Sequence, residues 1–315
     1  MTDITHEPGG RDRRLLPAAR QAARVALFLI LLPFASSLAQ RAQECPSCAG
    51  WNEPQRPIRL HGNTYYVGTH GLGAILVTSP AGHVLIDAGL PESAPLIRAN
   101  VESLGFRIRD VKLIVNSHAH YDHAGGIAEL QHASGARVVA SGWSVGVLRS
   151  GRPMAGDPQL GLALGFPAVG RVNRLSFGDT LRVGAIALVA HATPGHTPGG
   201  TTWTWRSCDA ARCLDFVYAD SQTPVSTDDF RFTSNASYPN AIADFERGFA
   251  TLERLPCDVL ITPHPSASNL WRRVSPTDGT ITPRLVDGGA CKRYAATARR
   301  QLEERVARER GGGAP

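Results

Sequence analysis

Four side chains that can bind a metal stand within six residues, in His118-Ala119-His120-Tyr121-Asp122-His123, directly after the apolar run Leu113-Ile114-Val115. Imidazole nitrogen and carboxylate oxygen are the donors Zn²⁺ accepts where no thiolate is offered, and a catalytic zinc takes three protein ligands and leaves a fourth position to water. Four donors therefore crowd a single ion. His118, His120 and Asp122 alternate as in an extended segment, whereas His123 breaks the alternation and turns the other way, so the spacing predicts two ions sharing one loop. A solitary histidine is usually a surface or core residue, and an aspartate ahead of a helix is usually a cap. Three of the chain's eleven histidines within six positions do not fit that ordinary pattern.

The chemistry follows from the donors. A bound zinc lowers the pKa of its water from about 15.7 to about 7, and two ions about 3.5 to 4 Å apart can hold the attacking and leaving atoms together. Hydroxide is then available at neutral pH without a serine nucleophile. Serine-triad chemistry is a weaker reading, because the histidines that could act as its base are better explained as ligands.

The HxHxDH pattern resembles the signature of the metallo-β-lactamase superfamily, and two further motifs of that family follow in order. Thr193-Pro194-Gly195-His196-Thr197-Pro198-Gly199-Gly200 supplies His196, and Thr262-Pro263-His264-Pro265 supplies His264. Each follows a β-type run ended by Pro or Gly, which places both histidines in strand-end loops. The resemblance covers about residues 55 to 305. It implies an α/β fold, an αβ/βα four-layer sandwich of two mixed sheets with helices outside and the metal site at one edge between the sheets. It also implies two Zn²⁺ per chain, the first on His118, His120 and His196 and the second on Asp122, His123 and His264.

Tyr218-Ala219-Asp220-Ser221-Gln222-Thr223, where two subclasses of these β-lactamases carry a cysteine ligand, has none. That is similar to the third subclass, whose second metal is held by Asp, His and His. The resemblance then implies hydrolysis of the β-lactam amide, carbapenems included. Hydroxide oriented by Asp122 attacks the strained carbonyl, one zinc polarises its oxygen, the other steadies the departing nitrogen, and no acyl-enzyme forms. Ser221 and Thr223 are the candidates for holding the substrate carboxylate. Lactonases and thioesterases of the superfamily use an aspartate from this strand end to bridge both metals, and they form the alternative. The expectation is that Ser221 lies nearest the site and Asp220 turns away. A non-catalytic zinc protein is disfavoured, because six ligands over two ions leave room for water. Gly151 to Gly170, with three prolines, reads as a long loop of the functional kind. In the family the matching loop overhangs the site, which makes Gln159 a substrate contact.

The elements that must position these residues fit one domain, residues 43–308, followed by a disordered tail, 309–315. Strands are predicted at 64–67, 74–78, 84–87, 112–116, 137–140, 186–190, 201–205, 216–219 and 259–262, and helices at 94–104, 127–132, 241–255 and 295–308. Trp203 and Trp205 read as core, and His70 and His191 as loop residues or supports of the ligands.

Arg11, Arg13, Arg14, Arg20 and Arg24 precede the apolar run Val25 to Leu32, and Ser37 and Ala39 suit a signal-peptidase site. Residues 1–39 thus read as an export signal, cut after Ala39 or after Ala42, and so short an apolar run makes no membrane anchor, which needs about twenty residues. The expected location is the periplasm. Six cysteines suit that oxidising compartment. The family pattern implies Cys257 with Cys291 and Cys208 with Cys213. Cys45 and Cys48 pair with each other or stay free, since His70 stands where some relatives carry the partner of an N-terminal cysteine. Loss of the leader removes five Arg and three acids and lowers the formal charge from +6 to +4. Scattered arginines without an accompanying motif give no nucleic-acid partner. Small-molecule β-lactams acted on by a monomer are the expectation.

Overall fold

The computed structural model describes residues 45–274 and 283–312. The export segment with both cleavage points, and residues 313–315 of the expected tail, lie outside the described residues. No helix among the described residues is long and apolar enough to cross a membrane.

Two sheets carry the chain. The first runs in the order β1 (Ile58–His61), β2 (Thr64–Tyr66), β3 (Ile75–Val77), β4 (His83–Ile86), β5 (Val111–Val115), β6 (Arg137–Ala140), β7 (Val172–Arg174). Its first four strands pair antiparallel and its last four parallel. Parallel neighbours need a crossover, and α2 (Ala94–Ser103), α4 (Ile127–Ser134) and α5 (Gly142–Ser150) supply the three required, while α1 (Cys48–Trp51), α3 (Tyr121–Ala124) and α7 (Leu270–Arg273) are single turns. The second sheet holds β8 (Thr180–Val183), β9 (Ile186–Ala192), β10 (Thr201–Cys208), β11 (Cys213–Tyr218) and β12 (Val259–Ile261), antiparallel except where β11 meets β12.

Alternation along each strand builds the four layers. Val84 and Ile86 on β4 point into the same core as Trp203, Trp205 and Phe216 of the second sheet, while Leu85 between them points out onto Ile97 and Val101 of α2. On the opposite outer face, α6 (Ala241–Arg254) buries Phe245, Phe249 and Leu252, spaced as one helical stripe, together with α8 (Ala290–Arg310). Complete burial stabilises each of these side chains by about 1.5 to 3 kcal/mol. This is the expected αβ/βα sandwich, with both tryptophans in the core.

Three strands escape the sequence pattern, β1, β7 and β8, and each lies at a sheet edge. Helix α8 also outruns its expected end. Glu309, assigned to the tail by sequence, is buried: it accepts from Arg305 Nε at 2.7 Å and from the amides of Phe232 and Thr233 at 3.1 and 2.9 Å, so the helix holds to Arg310. The three disulfides are Cys45–Cys48, Cys208–Cys213 and Cys257–Cys291.

Candidate metal centre

The cluster is set from beneath. Asp87, just past β4, takes a left-handed φ of 60°, a conformation that costs a non-glycine residue about 1 to 3 kcal/mol. Its carboxylate accepts from the Ser117 amide and hydroxyl, both at 2.7 Å, and from the Tyr218 hydroxyl at 2.8 Å. Those bonds fix the residue before His118, although burial pushes the Asp87 carboxyl up to about 7. The chain then departs from the extended run the spacing predicted. The amides of His123 and Ala124 both bond to the His120 carbonyl, at 3.1 and 2.8 Å, so Asp122 and His123 sit on one helical turn, α3 (Tyr121–Ala124).

The other sheet brings the two remaining histidines. His196 lies in the loop between β9 and β10, where Gly195 has φ 135° and a Cβ would fall 2.4 Å from the Phe245 ring, so glycine is required. His264 follows β12 and Pro263. Donor atoms of His118, His120 and His196 all lie within 4.8 Å of one another, as do those of His118, Asp122 and His123. Asp122 Oδ2 is 3.1 Å from His123 Nε2 and 3.3 Å from His264 Nε2. All six residues named by sequence therefore meet at one edge between the sheets.

Each imidazole of the first group has its other nitrogen engaged. His118 Nδ1 is 2.7 Å from Asp220 Oδ1, His120 Nε2 is 3.1 and 3.0 Å from the Asp157 oxygens, and His196 Nδ1 is 2.8 Å from the Thr223 carbonyl. Partners of this kind fix the tautomer and leave the opposite nitrogen basic. That opposite nitrogen in His118, Nε2, is buried without a hydrogen-bond partner among the described residues. Burial, reinforced by neighbouring imidazoles, holds His118 well below its ordinary pKa and brings His196 down to about 3. Burial opposes charge on Asp122, yet His123 and His264 outweigh it and keep that carboxyl well below the usual range. Burial opposes charge on His120 as well, but Asp157 outweighs it and raises that ring from its ordinary value. Neutral His118 and His196 beside an ionised carboxylate fit a divalent cation.

A cleft of about 330 Å³ opens over these donors. Ser221, Thr223 and Gln159 line it, and Gln159 Nε2 comes 3.2 Å from His196 Nε2. Asp220 corrects an expectation: it is not turned away from the cluster but lies wholly buried against His118 Nδ1, on the side away from that ring's unpartnered nitrogen. His70 is a loop residue stacked on Trp271, whereas His191 is a strand residue of β9 bonded to Thr204, supporting no ligand. Gly142-Trp143-Ser144-Val145-Gly146 satisfies the Gly-x-Ser-x-Gly spacing of serine hydrolases. Ser144 sits inside α5, buried, and its hydroxyl faces the Gly199 carbonyl and Ser141 rather than an imidazole.

Sequence reasoning missed Asp157, Trp51 and Tyr121. Trp51 packs its ring 5.1 Å from that of His264, and the Tyr121 hydroxyl lies 3.0 Å from Cys45 Sγ, which makes the Cys45–Cys48 disulfide part of the cleft wall. Asp157 had a signal, being the lone carboxylate between Gly151 and Gly170.

Comparison with known proteins agrees with this geometry. The metallo-beta-lactamase superfamily profile matches residues 73–276. Rm3 metallo-beta-lactamase is 54% identical, with 85% of this chain and 99% of that one covered and a TM-score of 0.82. MEM-A1, a subclass B3 metallo-beta-lactamase from a soil metagenome library, is 45% identical, with 83% and 99% covered and a TM-score of 0.80. A hydroxyacylglutathione hydrolase of Bradyrhizobium sp. (strain ORS 278) is 26% identical over 144 residues, 46% of this chain and 47% of the relative. The chain thus spans about half the length of the curated relatives it matches. Donor set, four-layer frame and cysteine-free strand end together place the chain in the metallo-β-lactamase superfamily, among the metal-dependent hydrolases of subclass B3.

Proposed function

We propose that this protein hydrolyses the amide bond of β-lactam antibiotics, carbapenems among them, with two zinc ions. The first is held by His118, His120 and His196 and the second by Asp122, His123 and His264. The observation that carries the reading is the second donor set, Asp122 between His123 and His264 with no thiolate near, beneath a cleft that also presents Ser221 and Thr223. Zinc in these positions supplies Lewis acidity toward the carbonyl and a water acidic enough to attack at neutral pH.

The protein's own groups do the rest. Ser221 and Thr223 bind the substrate carboxylate and set the ring over the donors. Gln159, on the overhanging loop, closes the cleft from above. Asp122, kept ionised by His123 and His264, accepts a hydrogen bond from the attacking water and orients it. Trp51 covers the His264 side and restricts bulk water there. The enzyme acts as an exported monomer in the periplasm, on small molecules and without a membrane anchor.

The likeness to hydroxyacylglutathione hydrolases supports thioester or lactone hydrolysis as the alternative. Asp220 weighs against it, since its Oδ1 bonds to His118 Nδ1, behind the ring rather than among the converging donors. The test is loss of carbapenem absorbance with zinc-loaded and chelator-stripped protein. Turnover that disappears on stripping and returns with zinc is expected. An intact carbapenem beside a hydrolysed hydroxyacyl-glutathione thioester would install the alternative.

A further inference from the structure

Among the three imidazoles of the first group, His120 alone takes its outer partner from the loop 151–170. The partners of His118 and His196, Asp220 and the Thr223 carbonyl, belong to the segment that follows β11. Asp157 instead lies in the loop 151–170, which carries the exposed apolar side chains Leu160 and Leu162, the second of them lining the cleft. Yet Asp157 itself is 2% exposed, with both oxygens on His120 Nε2 and Oδ1 also accepting the Gln159 amide at 2.9 Å. The next residue ties the loop to its other neighbour, the Pro158 carbonyl accepting the Thr227 amide at 3.0 Å.

A buried carboxylate in a long connecting loop needs a physical reason. Taking it out of water costs several kcal/mol unless a partner compensates, and the compensation here is the His120 ring N–H, on a ring whose centre lies 4.8 and 5.1 Å from those of His118 and His196. The geometry points to Asp157 as a positioning residue that couples the overhanging loop to the first ion. It holds His120 protonated on Nε2, so Nδ1 is the nitrogen offered inward, and that orientation in turn anchors the loop. By linkage the effect is reciprocal: occupation of the first position orders the loop, and a molecule that holds the loop down tightens the ion by the same factor. This rests on the proposed assignment of His120 to a metal.

Hydrogen exchange on the intact chain, with zinc as the only added ligand, tests the coupling without any substitution. Amides between 151 and 170 are expected to gain protection on zinc addition, beyond residues that merely flank the ligands. Asp157→Ala and the milder Asp157→Asn are then titrated with zinc against a chromophoric chelator. One of two zincs should weaken, by about 10- to 100-fold in the alanine variant and less in the asparagine variant, whose amide oxygen still accepts from His120. In both variants loop protection should respond less to zinc. Two zincs bound by the natural chain with no change in loop exchange would overturn the coupling while leaving the proposed activity intact. A chain that binds no zinc would overturn the metal assignment and the coupling with it.

Discussion

His196 shows how much a single ring depends on its surroundings. Burial first, and the neighbouring His120 second, lower its pKa from 6.5 to about 3. In the unfolded chain the same ring protonates near its ordinary value. Below about pH 6.5 the unfolded state therefore binds more protons than the native one, so stability falls as pH drops through that value toward 3. Urea denaturation of the metal-free protein at pH 7, 6 and 5 should give a steadily lower midpoint. A midpoint indifferent to pH across this window would contradict the burial assigned to these imidazoles. Zinc adds to the effect, since its ligands must be deprotonated to bind. At the substrate end of the cleft, Ser221→Ala removes one donor to a carboxylate, a contact worth about 1.5 to 3 kcal/mol. Steady-state kinetics should show KM raised by at least about tenfold with kcat little changed, and an unaltered KM would remove Ser221 from substrate binding.

Apolar burial explains which elements were legible in the sequence. The strands read from it, β2 to β6 and β9 to β12, carry apolar side chains that pack on neighbouring layers. Of those that were missed, β7 keeps only Val172 buried and β8 only Val183, and such half-wet edges need no apolar alternation. The edge strand β12 was read because all three of its residues are buried apolar ones, whereas β1 interrupts its buried positions with Arg59 and ends on the polar His61. Helix α5 was missed for another: two glycines and two valines within Gly142–Ser150 argue against a helix, and packing of Val147 and Leu148 on the sheet overrides that preference. The ligands were fully legible because coordination demands particular atoms at particular spacing. Asp157 and Trp51 were not, since each acts by position and any loop contains such residues. The β9–β10 loop supplies the prediction at this scale. A Cβ on Gly200 would lie 2.3 Å from Asp220 Oδ2 and 2.4 Å from the Thr193 carbonyl. Gly200→Ala should cost about 1 to 3 kcal/mol and displace Asp220 from His118, read as a lower urea midpoint together with weaker zinc binding. Unchanged zinc affinity would mean that Asp220 gives His118 no support.

Across the whole molecule, the last helix reaches back to the cleft. Arg305 on α8 donates to the Pro224 and Phe230 carbonyls and to Ser226 Oγ while pairing with buried Glu309. It thereby fixes the segment after Thr223, on which Val225 overlooks the site. Removal of one member of a buried pair leaves the other charge uncompensated, at about 3 to 5 kcal/mol. Arg305→Met should lose that much in equilibrium unfolding, and a loss below about 1 kcal/mol would show the pair to be dispensable. The donors divide between the sheets: His118, His120, Asp122 and His123 follow β5, whereas His196 and His264 follow β9 and β12. An ion in either group therefore adds a rivet between two halves that otherwise meet through a hydrocarbon core and a few hydrogen bonds, such as Tyr218 to Asp87 and Trp203 to the Asn116 carbonyl. Surroundings depleted of zinc would then disarm the catalyst and loosen its seam at once, handing the idle protein to proteases before the metal returned.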